Sequence, residues 1–134
     1  KDSTLIDDTF NSSPVSVEAA LVSMTMMQVS GKKIVIFGDM FELGKHSKKI
    51  HTEMGVKMVD VADTLVLFGE KVVDVKNGAI EEGFDESRIF HFKSKKDLVN
   101  HVVKKILHDD DLVLIKGGRC LGMEEIVAQL KKAK

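Results

Sequence analysis

Lys33-Ile34-Val35-Ile36-Phe37-Gly38-Asp39-Met40-Phe41-Glu42-Leu43-Gly44 is the stretch that decides the fold, because an unbroken apolar run, mostly β-branched, stops at a glycine followed by acids. A strand with one wet face alternates apolar and polar residues, so a continuous run indicates a strand buried on both faces, as in a parallel sheet covered by helices. Leu65-Val66-Leu67-Phe68 and Leu112-Val113-Leu114-Ile115 repeat the pattern. These three runs are expected at the centre, with shorter strands at Leu5-Ile6 and residues 88–92.

Helical spacing fills the intervals. Ser13 is a cap residue before Pro14, where a missing N–H costs nothing, and Val17, Leu21, Met24 and Met27 follow on one face. Ser47 opens a second helix with Ile50, Met54, Met58 and Val61 on one side. Residues 71–82 form a third, weakened by Asn77-Gly78. Ser94 and Asp97 form a capping-box pattern ahead of Leu98, Val99, Val102, Val103 and Ile106. The last helix spans residues 123–130, with Glu124 and Glu125 at its start and Lys131, Lys132 and Lys134 past its end, both favourable to the helix dipole. The alternation predicts one α/β domain over residues 1–134. It is a three-layer, Rossmann-like sandwich with a mostly parallel sheet of about six strands and helices on both faces.

Composition narrows the function. The 134 residues are 43% hydrophobic and 31% charged, the size of one core, of which roughly 68% of the unfolded surface is buried on folding. Twenty Lys and Arg against 21 Asp and Glu give a net charge of −1, which supplies no field for a polyanion and argues against a nucleic-acid binder. Aromatics are 5%, all Phe, so stacking platforms of Trp or Tyr are excluded. No apolar run approaches the 18 or so residues needed to span a bilayer, so no membrane insertion is expected. One cysteine allows no internal disulfide and fits a reducing, cytoplasmic setting. The abrupt start at Lys1, without Met, leads to the expectation of a domain from a longer protein.

In sheets of this type ligands bind beyond the carboxyl ends of the strands, and three loops there carry unusual chemistry. Asp7-Asp8-Thr9-Phe10-Asn11-Ser12-Ser13-Pro14 offers acceptors for ribose hydroxyls or a metal-bound water beside a helix N-terminus that suits an anion; the same residues are ordinary turn and cap formers. Residues 38–46 imitate a phosphate loop, but five residues instead of four separate Gly38 from Gly44, and Asp39 and Glu42 would repel phosphate. That loop suits a cation, an ammonium group or a sugar, or else it is a surface turn pinned by Met40, Phe41 and Leu43. Lys116-Gly117-Gly118-Arg119-Cys120-Leu121-Gly122 allows close approach to its backbone. Lys116 or Arg119 there can pair with carboxylate or phosphate, or be plain surface cations. His46 and His51 are five apart, a poor metal spacing, and Cys120 lacks an assignable histidine partner. His108-Asp109-Asp110-Asp111 reads as a polar turn, and Met24, Met26 and Met27 as core packing or a domain contact.

The three loops together resemble the Mur ligase family, in the C-terminal domain of its dipeptide-adding branch. The segment at residues 7–14 looks like DDTYNANP, residues 38–44 match GDMxELG, and Lys116-Gly117-Gly118-Arg119 with Met123-Glu124 resembles KGSRxMxME. Phe10 stands in place of Tyr, Ser12 and Ser13 of Ala and Asn, Gly118 of Ser, and Cys120 of a small residue. The resemblance implies a cytoplasmic bacterial ATP-dependent peptide ligase of cell-wall synthesis. Such an enzyme activates the carboxylate of UDP-N-acetylmuramoyl-tripeptide as an acyl phosphate with ATP and Mg²⁺, and D-alanyl-D-alanine then attacks. It also implies an N-terminal UDP-sugar domain and a central P-loop ATPase domain, both absent from this chain, which is then inactive alone and holds no cofactor tightly. By the same resemblance, Asp7, Asp8 and Asn11 lie toward the nucleotide with Phe10 as an apolar wall. Asp39 and Glu42 face the dipeptide ammonium or order domain closure, and Lys116 or Arg119 takes a carboxylate or phosphate. No residue here is expected to bind metal or to be catalytic on its own. A relative with a different amino substrate, or a stand-alone α/β binding module, are the alternatives.

Overall fold

In the computed structural model, which describes residues 2–133, five strands form one sheet in the order β1-β5-β2-β3-β4. They are β1 (Thr4–Asp8), β2 (Lys33–Gly38), β3 (Thr64–Phe68), β4 (Ile89–Phe92) and β5 (Leu112–Lys116). All four pairings are parallel. The count is five among the described residues instead of about six, since the remaining apolar residues recur at helical spacing. Lys134, expected just past the last helix, lies outside the described residues.

The continuous runs divide by parity between two cores. Val35, Phe37, Leu65, Leu67, Leu112 and Leu114 pack under α1 (Pro14–Met26), α2 (Ser47–Met58) and α3 (Val73–Glu81). Ile34, Ile36, Val66, Phe68, Val113 and Ile115 face α4 (Lys95–His101) and α5 (Glu124–Lys132). Side chains alternate across a strand, so burial of both parities requires a helical layer on each face. A π-helical turn, Val102–Ile106, extends α4 and keeps Val102 and Ile106 on its core.

Local chemistry sets the helix ends. Ser13 Oγ accepts from the Ser16 N–H at 3.2 Å while Ser16 Oγ accepts from the Ser13 N–H at 2.9 Å, a reciprocal cap ahead of Pro14. At the other end of α1, Lys33 Nζ donates to the Met24 carbonyl at 2.6 Å. Ser94 Oγ accepts from the Asp97 N–H at the start of α4. Met24 lies in the core, whereas Met26 at the end of α1 and Met27 just past it are exposed, as are Val15 and Val22.

Asn77-Gly78 does not interrupt the third helix, which runs unbroken from Val73 to Glu81. α2 and α3 approach so closely that a Cβ on Gly78 would stand 2.2 Å from the Thr52 carbonyl oxygen, and one on Gly55 would stand 2.1 Å from that of Val75. Gly78 is therefore a packing residue inside a continuous helix. The buried face of α2 is His51, Met54, Gly55 and Met58, rotated from the expected stripe, with Ile50 only partly covered and Val61 beyond the helix.

Candidate functional site

Placing β5 between β1 and β2 brings together three loops that are far apart in the chain, because each follows one of these adjacent strands. The helix after β2 lies on one face and the helix after β5 on the other, so the chain parts at the carboxyl ends of these two strands. Such a point is where α/β sheets accept ligands.

Lys116 and Asp8 join the first loop to the third. They are register partners on β5 and β1, and Lys116 Nζ lies 3.1 Å from Asp8 Oδ2 and also donates to the Asn11 carbonyl. Lys116 is only 1% exposed, so its charge is spent on these two acceptors and is not offered to a carboxylate or phosphate from outside. Asp7 is exposed and accepts from the Thr9 hydroxyl at 2.7 Å.

Asp39 is likewise turned inward. At 5% exposure its Oδ2 accepts from the Glu70 N–H at 3.0 Å and its Oδ1 from the Val72 N–H at 2.9 Å. These bonds staple the loop after β2 to the loop after β3 and engage both oxygens of the Asp39 carboxylate. Glu42, two residues past Met40, is exposed and has a left-handed backbone with φ 63°. Among the acids of this loop it is the one that projects outward.

Arg119 and Phe10 form the rim. The guanidinium carbon sits 4.1 Å from the ring centroid of Phe10, which is 69% exposed, a cation–π contact between the third and first loops. Phe41 is partly exposed on the second loop, with Lys71 Nζ 5.8 Å from its ring centroid. The rim therefore carries two ring–cation pairs, Phe10 with Arg119 and Phe41 with Lys71, and the exposed acids Asp7 and Glu42.

Two expectations about the loops change. The glycine-rich third loop does not hold its backbone open throughout, because Met123 fills the space: a Cβ on Gly117 would meet its sulfur at 2.1 Å and one on Gly38 at 2.4 Å. The N-terminus of α1 offers fewer N–H groups to an anion than the sequence suggests, since Pro14 has none and that of Ser16 is taken by Ser13. A residue the motifs do not single out, His51, is fully buried beneath the second loop and bonded to the Met40 N–H. Its signal in the sequence is its spacing to Met54 and Met58, which places it on the apolar face of α2. Among the described residues no group of three or more His, Cys, Asp or Glu side chains is placed to hold a metal ion, and no helix is long and apolar enough to cross a membrane. Cys120 is exposed.

A parallel α/β domain with one rim built from three loops beside its central strands is the class that this geometry defines. The chain belongs to the Mur ligase family, matching the "Mur ligase, glutamate ligase domain" over residues 1–119. It is 35% identical over 128 residues to the UDP-N-acetylmuramoyl-tripeptide–D-alanyl-D-alanine ligase of Bacillus subtilis, covering 95% of this chain and 28% of that protein. The ligase of the same name from Escherichia coli is 28% identical over 131 residues, with 96% and 27% covered. Among solved structures, MurF from Acinetobacter baumannii superposes with a TM-score of 0.85 at 25% identity, covering 98% of this chain and 29% of that one. The MurF ligase of Thermotoga maritima in complex with ADP superposes at 0.80 with 23% identity, over 99% and 29%. The chain thus spans little more than a quarter of the curated relatives it matches.

Proposed function

We propose that this chain is the C-terminal domain of an ATP-dependent peptide ligase of bacterial cell-wall synthesis, which adds D-alanyl-D-alanine to UDP-N-acetylmuramoyl-tripeptide in the cytoplasm. A carboxylate is a poor electrophile. Transfer of the γ-phosphoryl of ATP to it gives an acyl phosphate; the dipeptide amine then attacks the carbonyl, the amide forms, and phosphate and a proton leave. The chain carries no GxxxxGK[ST] sequence, so phosphoryl-transfer machinery belongs to the remainder of the longer protein, a UDP-sugar domain and a P-loop domain. Among the described residues no group of three or more His, Cys, Asp or Glu side chains is assembled to hold Mg²⁺, so no step is assigned to the metal on this chain.

The rim is the part of this domain that meets substrate. Arg119 takes the dipeptide carboxylate or a phosphate, for which a planar guanidinium is suited. Glu42 takes the dipeptide ammonium, and Phe10 with Asn11 and Asp7 lies toward the nucleotide. Asp8, Lys116 and Asp39 act one step back, holding the loops that carry these groups. Domain closure then brings amine and acyl phosphate together and excludes water.

The observation that carries this reading is the convergence of three Mur-like loops on the adjacent strands β1, β5 and β2, with Phe10 and Arg119 in contact across them. The test is selectivity of the full-length protein, assayed with D-alanyl-D-alanine, D-alanine, L-alanyl-L-alanine and single diamino acids. ATP-dependent amide formation with the D-dipeptide alone is expected. Preference for a single amino acid would replace it with another ligase of the family, and no ligation with any amine would favour a binding module.

A further inference from the structure

His51 is closed from solvent on the core side of α2, and both of its ring nitrogens are engaged. The Met40 N–H donates to Nε2 at 3.0 Å, and Nδ1 lies 2.8 Å from the Ser47 carbonyl oxygen, with the Ser47 hydroxyl 3.3 Å away. A backbone N–H can only donate, so Nε2 carries the lone pair and the proton is on Nδ1, donated to Ser47. The imidazole is thus a neutral bridge between the first turn of α2 and the backbone at Met40.

That bridge has a specific place in the loop. β2 ends at Gly38, so the buried Met40 N–H has no neighbouring strand to bond, and His51 supplies its acceptor. Asp39 is held by the backbone of Glu70 and Val72, Met40 is fully buried, and Leu43 packs back against the core. Between these anchors only Phe41 and Glu42 project, and the left-handed turn at Glu42 is the reversal that joins them. The direction in which the Glu42 carboxylate leaves the surface therefore depends on where Met40 is pinned.

We infer that His51 is a positioning residue for the amine substrate: it touches no substrate, but through Met40 it sets the placement of Glu42. The inference rests on the reading that Glu42 meets the incoming ammonium. In the full-length protein, His51→Leu keeps the volume and removes the acceptor, His51→Gln keeps an oxygen able to accept from Met40, and Glu42→Gln tests the carboxylate itself.

The expected result is an approximately tenfold rise in the dipeptide KM for His51→Leu, with the ATP KM within about twofold of wild type and most of the loss recovered in His51→Gln. Equal changes in both KM values, or an unchanged dipeptide KM in folded His51→Leu, would overturn it. A raised dipeptide KM in Glu42→Gln without one in His51→Leu sinks this inference alone, whereas an unchanged KM in Glu42→Gln sinks the reading of the site. If His51→Leu does not fold, long-range ¹⁵N spectra of the wild-type imidazole decide. A bare Nε2 and a protonated Nδ1, with a slowly exchanging Met40 amide, support the bridge; a protonated Nε2 or a fast-exchanging Met40 amide removes it.

Discussion

Lys116 lies in register with Asp8 on one side and Phe37 on the other, and its buried ammonium closes on Asp8 Oδ2 at 3.1 Å and on the carbonyl of Asn11. One cation of the last strand thereby holds the loop after the first strand, more than a hundred positions away in sequence. Removing one partner of a buried pair leaves the other charge uncompensated, while removing both does not. Asp8→Asn is expected to cost about 2 kcal/mol, less than a fully buried pair because Asp8 is itself 39% exposed. The double change with Lys116→Met should cost less than the sum of the single changes. Urea unfolding of the 134-residue chain measures both, with an unchanged m confirming that only stability moved.

Arg119 tests the rim. Its contact with Phe10 is exposed and contributes no more than about 1 kcal/mol, so Arg119→Ala should leave the thermal midpoint of the domain nearly unchanged. On the proposed function, the same substitution in the full-length protein should raise the dipeptide KM or lower kcat by at least about tenfold. Wild-type kinetics would remove Arg119 from the substrate contacts.

Glu42 separates stability from function. A side chain at φ 63° is strained by about 1 kcal/mol where glycine is not. Glu42→Gly should therefore raise the thermal midpoint by about 3–5 °C while it lowers ligase activity. A fall in the midpoint would show that Glu42 makes stabilising contacts of its own.

Gly78 sets packing against propensity. Alanine favours a helix over glycine by about 1 kcal/mol, which predicts a gain for Gly78→Ala. Its Cβ would, however, stand 2.2 Å from the Thr52 carbonyl oxygen, a backbone atom that cannot swing aside. Overpacking should win, with a net loss of about 2 kcal/mol in a denaturant titration.

The layers and their contents were legible in the chain. Unbroken runs at Ile34, Leu65 and Leu112 require burial on both faces, and Ser13-Pro14 and Ser94 mark helix starts through local hydrogen bonding. The loops that carry Glu42 and Arg119 follow directly, since they begin where two of those runs stop, and the loop that carries Phe10 follows the shorter run at Leu5-Ile6. Which side chains point outward was not legible, because Asp39 and Glu42, or Lys116 and Arg119, are equivalent as residue types. Only the fold distinguishes a carboxylate held by two backbone N–H groups from one on a left-handed turn.

Strand order belongs to the same category. Periodicity is a local property and reports whether a segment is buried, not beside which segment it lies. Insertion of β5 between β1 and β2 arises from long-range packing of both sheet faces, and it unites the three loops and buries Lys116. The sequence by itself determined the elements and the chemistry available at their ends; the tertiary structure decided which charges are spent within the protein and which remain exposed, because burial and pairing depend on neighbours distant in the chain.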